Sequence, residues 1–232
     1  MPSSPDRPTT TSWSPEVPGI TPPSIGTARR WAVFVLGAAC LIGGIGISIT
    51  ADLGVGSWQV LETGLVEATG ASYGVVVVVE AAVAIAIAWA WLGQRPWIAT
   101  VLFAFGGVGI GAVLDALTSP EALWARSLML AVGMCLIAVG VAFYLASDLG
   151  ASAQDALFVG IYKTYEVRPG IVRFAMDATL VVVGALLGGQ FGVGTIAVTI
   201  VVPVLIEPAL RVGHRLAATP PPAALSRSSA AR

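Results

Sequence analysis

Long apolar runs, separated by short polar or glycine-containing stretches, fill the chain between Trp31 and Leu210. Each run is about 20 residues long, the length that an α-helix needs to cross a hydrocarbon core of about 30 Å. The runs lack the strict alternation of a membrane β-barrel, so the pattern predicts membrane-spanning helices. The predicted spans are Trp31 to Ile49, Tyr73 to Leu92, Trp97 to Leu117, Leu123 to Ala146, Gly170 to Leu187 and Val193 to Leu210.

Two amphipathic segments, about Ser57 to Thr69 and Ala153 to Tyr165, are shorter than these runs. As helices of about 13 residues they would reach only about 20 Å, too little to span. We therefore predict re-entrant or broken helices and six crossings. The alternative is that both segments span, giving eight crossings. Glu62 and Glu67 in the first segment would be costly in hydrocarbon, which favours six.

The chain aligns with itself at an offset of 96 residues, as between Asp52-Leu53-Gly54 and Asp148-Leu149-Gly150. This repetition predicts an all-α membrane bundle of two homologous halves, residues 29–118 and 119–211, each with three spanning helices and one short helix. Three is an odd number, so the halves would be inverted repeats, as in many secondary transporters. Further matches are Gly37 with Gly133, Gly44 with Gly140, Leu61 with Leu157, Gly64 with Gly160 and Gly74 with Gly170.

The two ends of the chain have a different composition from its centre. Residues 1–28 are rich in Pro, Ser and Thr and lack an apolar signal-peptide core, so we expect a disordered tail. Residues 212–232, which include three consecutive prolines, are predicted to be a second disordered tail.

Basic residues predict a cell-membrane protein with both termini in the cytoplasm. With six crossings, Arg126 alone would face outwards. With eight, Arg126 and Arg95 would exchange sides, so charge does not choose between the two topologies. The predicted cytoplasmic residues are Arg29, Arg30, Arg95, Lys163, Arg168, Arg173, Arg211 and Arg215.

Composition excludes a soluble protein and disfavours an enzyme. Hydrophobic residues make up 56% of the chain and charged residues 11%, with a mean hydropathy of +0.86. Cys40 and Cys135 lie in apolar runs without a CxxC spacing, and His214 is the single histidine. No catalytic, metal or cofactor constellation can be assembled from these residues. The lipid bilayer is the predicted partner, with a small solute or ion and no nucleic acid.

Two segments carry a family resemblance: the repeated Asp-Leu-Gly, followed in the first half by Ser57-Trp58-Gln59-Val60-Leu61, and the stretch from Leu187 to Thr195. They resemble the YczE branch of the YczE/YitT family of bacterial membrane proteins, over roughly Trp31 to Leu210. That family typically has Pro-Trp-Asp after the turn. Here the first half has Ser57 and Gln59 in place of Pro and Asp, and the second keeps Asp155 but has Ala153 and Gln154 in place of Pro-Trp. The resemblance implies the architecture and leaves the activity open.

Two acids inside predicted spans, Glu80 and Asp177, are the first candidates for a substrate- or ion-binding site. A charge at mid-bilayer costs roughly 2.5 to 3.5 kcal/mol, so both must face the bundle interior or water. One interpretation is a pair of carboxylates that bind a cation or a proton. The other is that each is neutral and hydrogen-bonded as a packing device. Arg173, one helical turn before Asp177, could also approach it.

The Asp-Leu-Gly turns supply further candidates. Asp52 and Asp148 end their helices, where turn chemistry alone explains them. Alternatively, with Gln59 and Asp155 at the starts of the short helices, they line a midplane binding site. A carboxylate at a helix N-terminus is also favoured by the helix dipole. Two more acids, at matching helix ends, are candidates for gating or for interfacial positions: Asp115 and Glu207.

The predicted function is that of a small secondary transporter or permease for a cationic or proton-coupled small solute. Inverted halves and buried acids without buried bases favour it. The alternative is a regulatory or assembly membrane protein that acts through a partner and transports nothing. Neutralising Glu80 and Asp177 would leave the function of such a protein intact.

Overall fold

A computed structural model of the chain describes residues 28–94, 98–150 and 152–217, and in these residues the regular elements are all α-helices. Five of the described helices, α1, α3, α6, α8 and α9, are long and apolar enough to cross a membrane. The chain is therefore a polytopic helical membrane protein. The helices are α1 (Ala28–Ala51), α2 (Ser57–Thr69), α3 (Tyr73–Ala90), α4 (Ile98–Ala104), α5 (Gly106–Ala116), α6 (Leu123–Ser147), α7 (Ala153–Tyr165), α8 (Pro169–Leu186) and α9 (Val193–Ala217).

The run from Trp97 to Leu117 does not form the continuous helix that was predicted. It is divided at Phe105 into α4 and α5. Here the Phe105 N–H donates to the Leu102 oxygen at 3.2 Å and the Val108 N–H to the Phe105 oxygen at 3.1 Å, which are the three-residue bonds of a tighter turn. The four glycines between 106 and 111 lower the helix propensity of this run and explain why it breaks.

The two short helices have the predicted bounds, and each is 13 residues long. Each follows an aspartate that ends a long helix in the left-handed conformation, with φ of 50° at Asp52 and 54° at Asp148. Gly54 and Gly150 also have positive φ, and the short polar side chain of aspartate tolerates the region as well.

Helices α1 and α6 pack against each other as an antiparallel pair. Gly37 lies against Gly140, and Gly44 lies against Gly133. A Cβ atom added at Gly44 would lie 2.7 Å from the Ile137 nitrogen, so the two backbones are in direct contact. Small residues at such a crossing are typical of membrane helices, where packing replaces the hydrophobic effect as the source of association.

Each short helix packs on a long helix from the opposite half of the sequence, α2 on α8 and α7 on α3. A Cβ atom at Gly64 would lie 2.5 Å from the Gly184 oxygen. At its start, Ala153 of α7 clusters with Ala81 and Ala84 of α3, and further along, Gly160 packs against Leu92. Helix α7 therefore runs along α3 toward the C-terminal end of α3.

The two segments that carry the family resemblance contact each other. The Gly194 N–H donates to the Leu53 oxygen at 2.7 Å, and the Val55 N–H donates to the Gln190 oxygen at 3.3 Å. The Gln190 N–H in turn donates to the Thr63 hydroxyl at 3.0 Å. The loop between α8 and α9 thereby fixes the first Asp-Leu-Gly turn and the middle of α2.

The start of α1 and the end of α9 lie together. Arg29 donates to the Arg215 oxygen at 3.0 Å and also to the Leu216 oxygen. Helix α9 continues to Ala217, beyond the end of the second half predicted at 211. The rest of the predicted tails lies outside the described residues, as does Arg95.

A carboxyl-bearing groove as the candidate functional site

A groove of about 520 Å³ lies between α2 and α3, with single contributions from α7 and α8. Glu80 of α3 is the one charged residue among the described residues that line it. Thr69 is the one hydroxyl-bearing residue in the lining, and the groove is otherwise apolar. The remaining lining residues are Trp58, Leu61, Leu65, Ala71, Val75, Val76, Val79, Val83, Ala84, Ile87, Leu157 and Leu180.

Glu80 is half-buried, and one of its carboxyl oxygens lacks a partner. The side chain of Gln154, at the start of α7, lies close enough to the Glu80 carboxyl to interact with it. The Glu80 Oε1 atom is buried and has no hydrogen-bond partner within the described part of the chain. A buried acceptor of this kind is costly, and it is the atom to which a proton or a cation would bind.

A second carboxyl lies beside the first. Glu62 of α2 is only 2% exposed, and the Tyr73 hydroxyl donates a hydrogen bond to its Oε2 atom. Glu62 and Glu80 are close enough for their carboxyl groups to interact electrostatically. In this pair, Glu62 accepts a hydrogen bond from Tyr73, whereas Glu80 lines the groove.

Asp155 holds the start of α7 in place. Its N–H donates to the Ser152 hydroxyl at 3.1 Å, and that hydroxyl is 2.8 Å from the Asp155 Oδ2 atom. The Tyr144 hydroxyl donates to the same carboxylate. These are the contacts of a helix N-cap, so Asp155 anchors α7 and thereby positions its neighbour Gln154 against Glu80.

Gln59 lies at the start of α2, as predicted, but it does not line the groove. Its side chain covers Gly56, where an added Cβ atom would lie 2.6 Å from the Gln59 Oε1. The matching position in the second half is Asp155, and Asp155 is also engaged locally. The starts of α2 and α7 therefore contribute Trp58 and Gln154 to the site of Glu80, one residue before the predicted Gln59 and Asp155.

Asp177 is separated from the groove. Arg173 Nε donates to its Oδ2 atom at 2.9 Å, across one turn of α8. The Asp177 Oδ1 atom is buried without a hydrogen-bond partner among the described residues. Leu180 is the residue that α8 contributes to the lining. The acid that the structure brings to Glu80 is therefore Glu62.

The two turn aspartates also lie outside the lining of the groove. Asp52 is 59% exposed at its side chain and forms an ion pair with Arg126 at 2.7 Å. Arg126 also donates to the Ala51 oxygen at 2.8 Å, so it caps the end of α1. Asp148 interacts electrostatically with His214 of α9.

Asp115, near the end of α5, and Glu207 are both exposed. The predicted helix-end position is wrong for Glu207, because α9 continues for ten residues beyond it to Ala217. Glu207 is paired with Arg211 at 2.6 Å on the same helix. An exposed pair of this kind contributes little to stability. In the described part of the chain, no group of three or more His, Cys, Asp or Glu side chains is arranged to hold a metal ion.

Sequence reasoning missed Glu62, Tyr73 and Gln154 as site residues. A signal for Glu62 existed, since it follows Trp58 by four residues and so shares its helical face. Gln154 occupies the position that matches Trp58 at the offset of 96 residues. Nothing in the sequence pairs Tyr73 with Glu62, because that contact depends on how α2 and α3 turn toward each other.

Comparison with known sequences identifies the family. Residues 28–209 match the Family of unknown function (DUF6198). The chain belongs to this family. It is 29% identical over 178 residues to an "Uncharacterized protein" of Haemophilus influenzae, covering 75% of this chain and 80% of that protein. It is 24% identical over 183 residues to the "Uncharacterized membrane protein YczE" of Bacillus subtilis, covering 77% and 84%. These matches confirm the resemblance to the YczE branch, and no solved structure matches the chain.

Proposed function

We propose that this chain is a small secondary transporter of the cell membrane that moves a cationic or proton-coupled small solute through the groove of Glu80. The observation that carries the proposal is the buried, unpartnered Glu80 Oε1 in an otherwise apolar lining that contains no basic residue among the described positions. Ionisable groups of this kind inside a membrane mark ion and substrate pathways. Glu62, buried beside it, supplies a second carboxyl.

The proposal includes two inverted halves. Helices α1 and α6 match at the offset of 96 residues, and they pack antiparallel. Arg126, near the start of α6, pairs with Asp52 at the end of α1. Between Asp52 and Arg126 the chain crosses the membrane twice in this topology, once in α3 and once in α4 with α5, and so returns to the face where α1 ended. A spanning α2 would add a third crossing and place Asp52 and Arg126 on opposite faces. This contact supports six crossings, and the basic residues favour cytoplasmic termini.

Each short helix packs on a helix of the other half, and in the proposed transporter these contacts change when the halves move. Helix α2 rests on α8 and α7 rests on α3, so each half holds the short helix of the other. If the halves rock against each other, the α2–α3 groove and the Gln154 contact to Glu80 change together. Alternating access by rocking of repeats around a fixed site is common in secondary transporters. In this scheme the proton and the cation compete for the Glu80 carboxylate.

The test is flux in proteoliposomes that contain a trapped pH-sensitive dye. Wild type is compared with Glu80→Gln and Glu62→Gln, using K⁺, guanidinium, choline and tetraphenylphosphonium as probes. We expect cation-dependent proton movement in wild type and at least a roughly tenfold loss in Glu80→Gln, as expected when one charged contact is removed. Glu67→Gln is the matched control, because Glu67 is exposed on the same helix as Glu62.

Both variants must remain folded, as judged by size-exclusion chromatography and thermal denaturation. If no probe moves protons and no probe flux depends on Glu80 or Glu62, the transport proposal is overturned. The partner-binding alternative would then account for the chain.

A further inference from the structure

The groove of Glu80 is open along the outer surface of α3. Val75, Val79 and Val83 line it and are 55%, 56% and 53% exposed. They belong to a helix that is apolar enough to span the membrane, so their exposed faces meet lipid chains. An occupant can therefore enter this groove sideways from the bilayer, without passing through an aqueous channel.

The single charge lies partway along an apolar path. Lining residues of α3 extend from Val75 to Ile87, which is about 18 Å of helix at 1.5 Å per residue. Glu80 lies between them, opposite the face of α2 that carries Trp58, Leu61 and Leu65. The shape and chemistry are those of a site for a molecule with an apolar body and one polar centre.

We infer that the groove binds a lipophilic monovalent organic cation, with its charge at Glu80 and its apolar body against α2 and α3. This inference rests on the proposed function and specifies its substrate class. Charge complementarity argues for it, because the lining holds a carboxyl and Glu62 adds a second one nearby. A phospholipid or a fatty acid would bring an anionic group to a lining without a basic residue, which is unfavourable in a low-dielectric site.

The test is direct binding of radiolabelled tetraphenylphosphonium to the purified full chain in nanodiscs. Radiolabelled tetraphenylborate, an anion of nearly the same shape, is the matched ligand control and is measured in a separate sample. We expect saturable binding of the cation and no saturable binding of the anion. Glu80→Gln should weaken binding roughly tenfold or more, since the charge contact is lost. Val79→Trp, which keeps Glu80 and fills the groove, should weaken it as well, and Glu67→Gln should bind as wild type does.

The inference would be overturned by no saturable binding of the cation, by equal saturable binding of tetraphenylborate, or by unchanged binding in Glu80→Gln. A co-purified phospholipid that tetraphenylphosphonium does not displace would also overturn it, in favour of a lipid site. The outcomes separate this inference from the proposed function. Glu80-dependent flux of a small hydrophilic cation without tetraphenylphosphonium binding would reject the substrate class and keep the transporter. Binding without any flux would reject the transporter and keep the site.

Discussion

Gly44 of α1 and Gly133 of α6 contact each other reciprocally: a Cβ atom on either residue would lie 2.9 Å from the carbonyl oxygen of the other. Gly37 and Gly140 are related in the same way, at 3.0 and 2.8 Å. At the offset of 96 residues, Gly37 matches Gly133 and Gly44 matches Gly140. The proposed inverted halves, related by a two-fold axis in the membrane plane, would produce such a reciprocal crossing of matching positions.

A larger side chain at this crossing should destabilise the protein. Gly44→Leu would force the α1 and α6 backbones apart, and overpacking of this kind typically costs about 1–3 kcal/mol. Gly43→Leu is the matched control, because a Cβ atom at Gly43 meets nothing within 4 Å. Thermal denaturation in detergent should give a lower midpoint for Gly44→Leu than for Gly43→Leu. Equal midpoints would mean that the crossing is not closely packed.

The antiparallel register of α1 and α6 predicts a second contact at the far end of the pair. Arg126 and Asp52 meet at one end, and their matching residues at the offset of 96 are Arg30 and Asp148. In a background with Cys40→Ala and Cys135→Ala, a short bifunctional maleimide should link Arg126→Cys with Asp52→Cys, and equally Arg30→Cys with Asp148→Cys. Arg30→Cys with Asp52→Cys, at opposite ends of α1, should not link. Linking of the first pair alone would contradict the predicted register.

The hydrogen bond from Tyr73 should stabilise the buried Glu62. Tyr73→Phe leaves that carboxyl without its donor, which costs about 1–3 kcal/mol for a buried polar group. Replacing Glu62 as well, with Glu62→Met, should recover part of the loss, because no buried acceptor is then left unsatisfied. Tyr165→Phe is the control, since Tyr165 is 56% exposed. Denaturation midpoints of wild type, Tyr73→Phe, Glu62→Met, the double variant and Tyr165→Phe test this. Equal effects of Tyr73→Phe with and without Glu62→Met would contradict the coupling.

Hydropathy and spacing predicted most of the helices but not how they face one another. The bounds of α2 and α7 follow from local signals, since each begins after a small or N-capping residue, Gly56 or Ser152. The break at Phe105 was missed because a glycine-rich apolar run has the same mean hydropathy whether or not it is continuous. Glu80 was identified because a charge inside a span is conspicuous in any sequence. Its neighbours Glu62 and Gln154 depend on the rotation of α2 and α7 about their axes, which hydropathy does not encode.

The most direct test of the proposed inverted architecture uses two exposed, matching positions near the ends of the short helices, Glu67 of α2 and Lys163 of α7. Each is replaced by cysteine in the cysteine-free background and labelled in intact cells with a membrane-impermeant maleimide. Inverted halves predict that Glu67→Cys is labelled from outside, whereas Lys163→Cys is labelled only after the cells are opened. Labelling of both positions from the same face would contradict the inverted halves and the six-crossing topology.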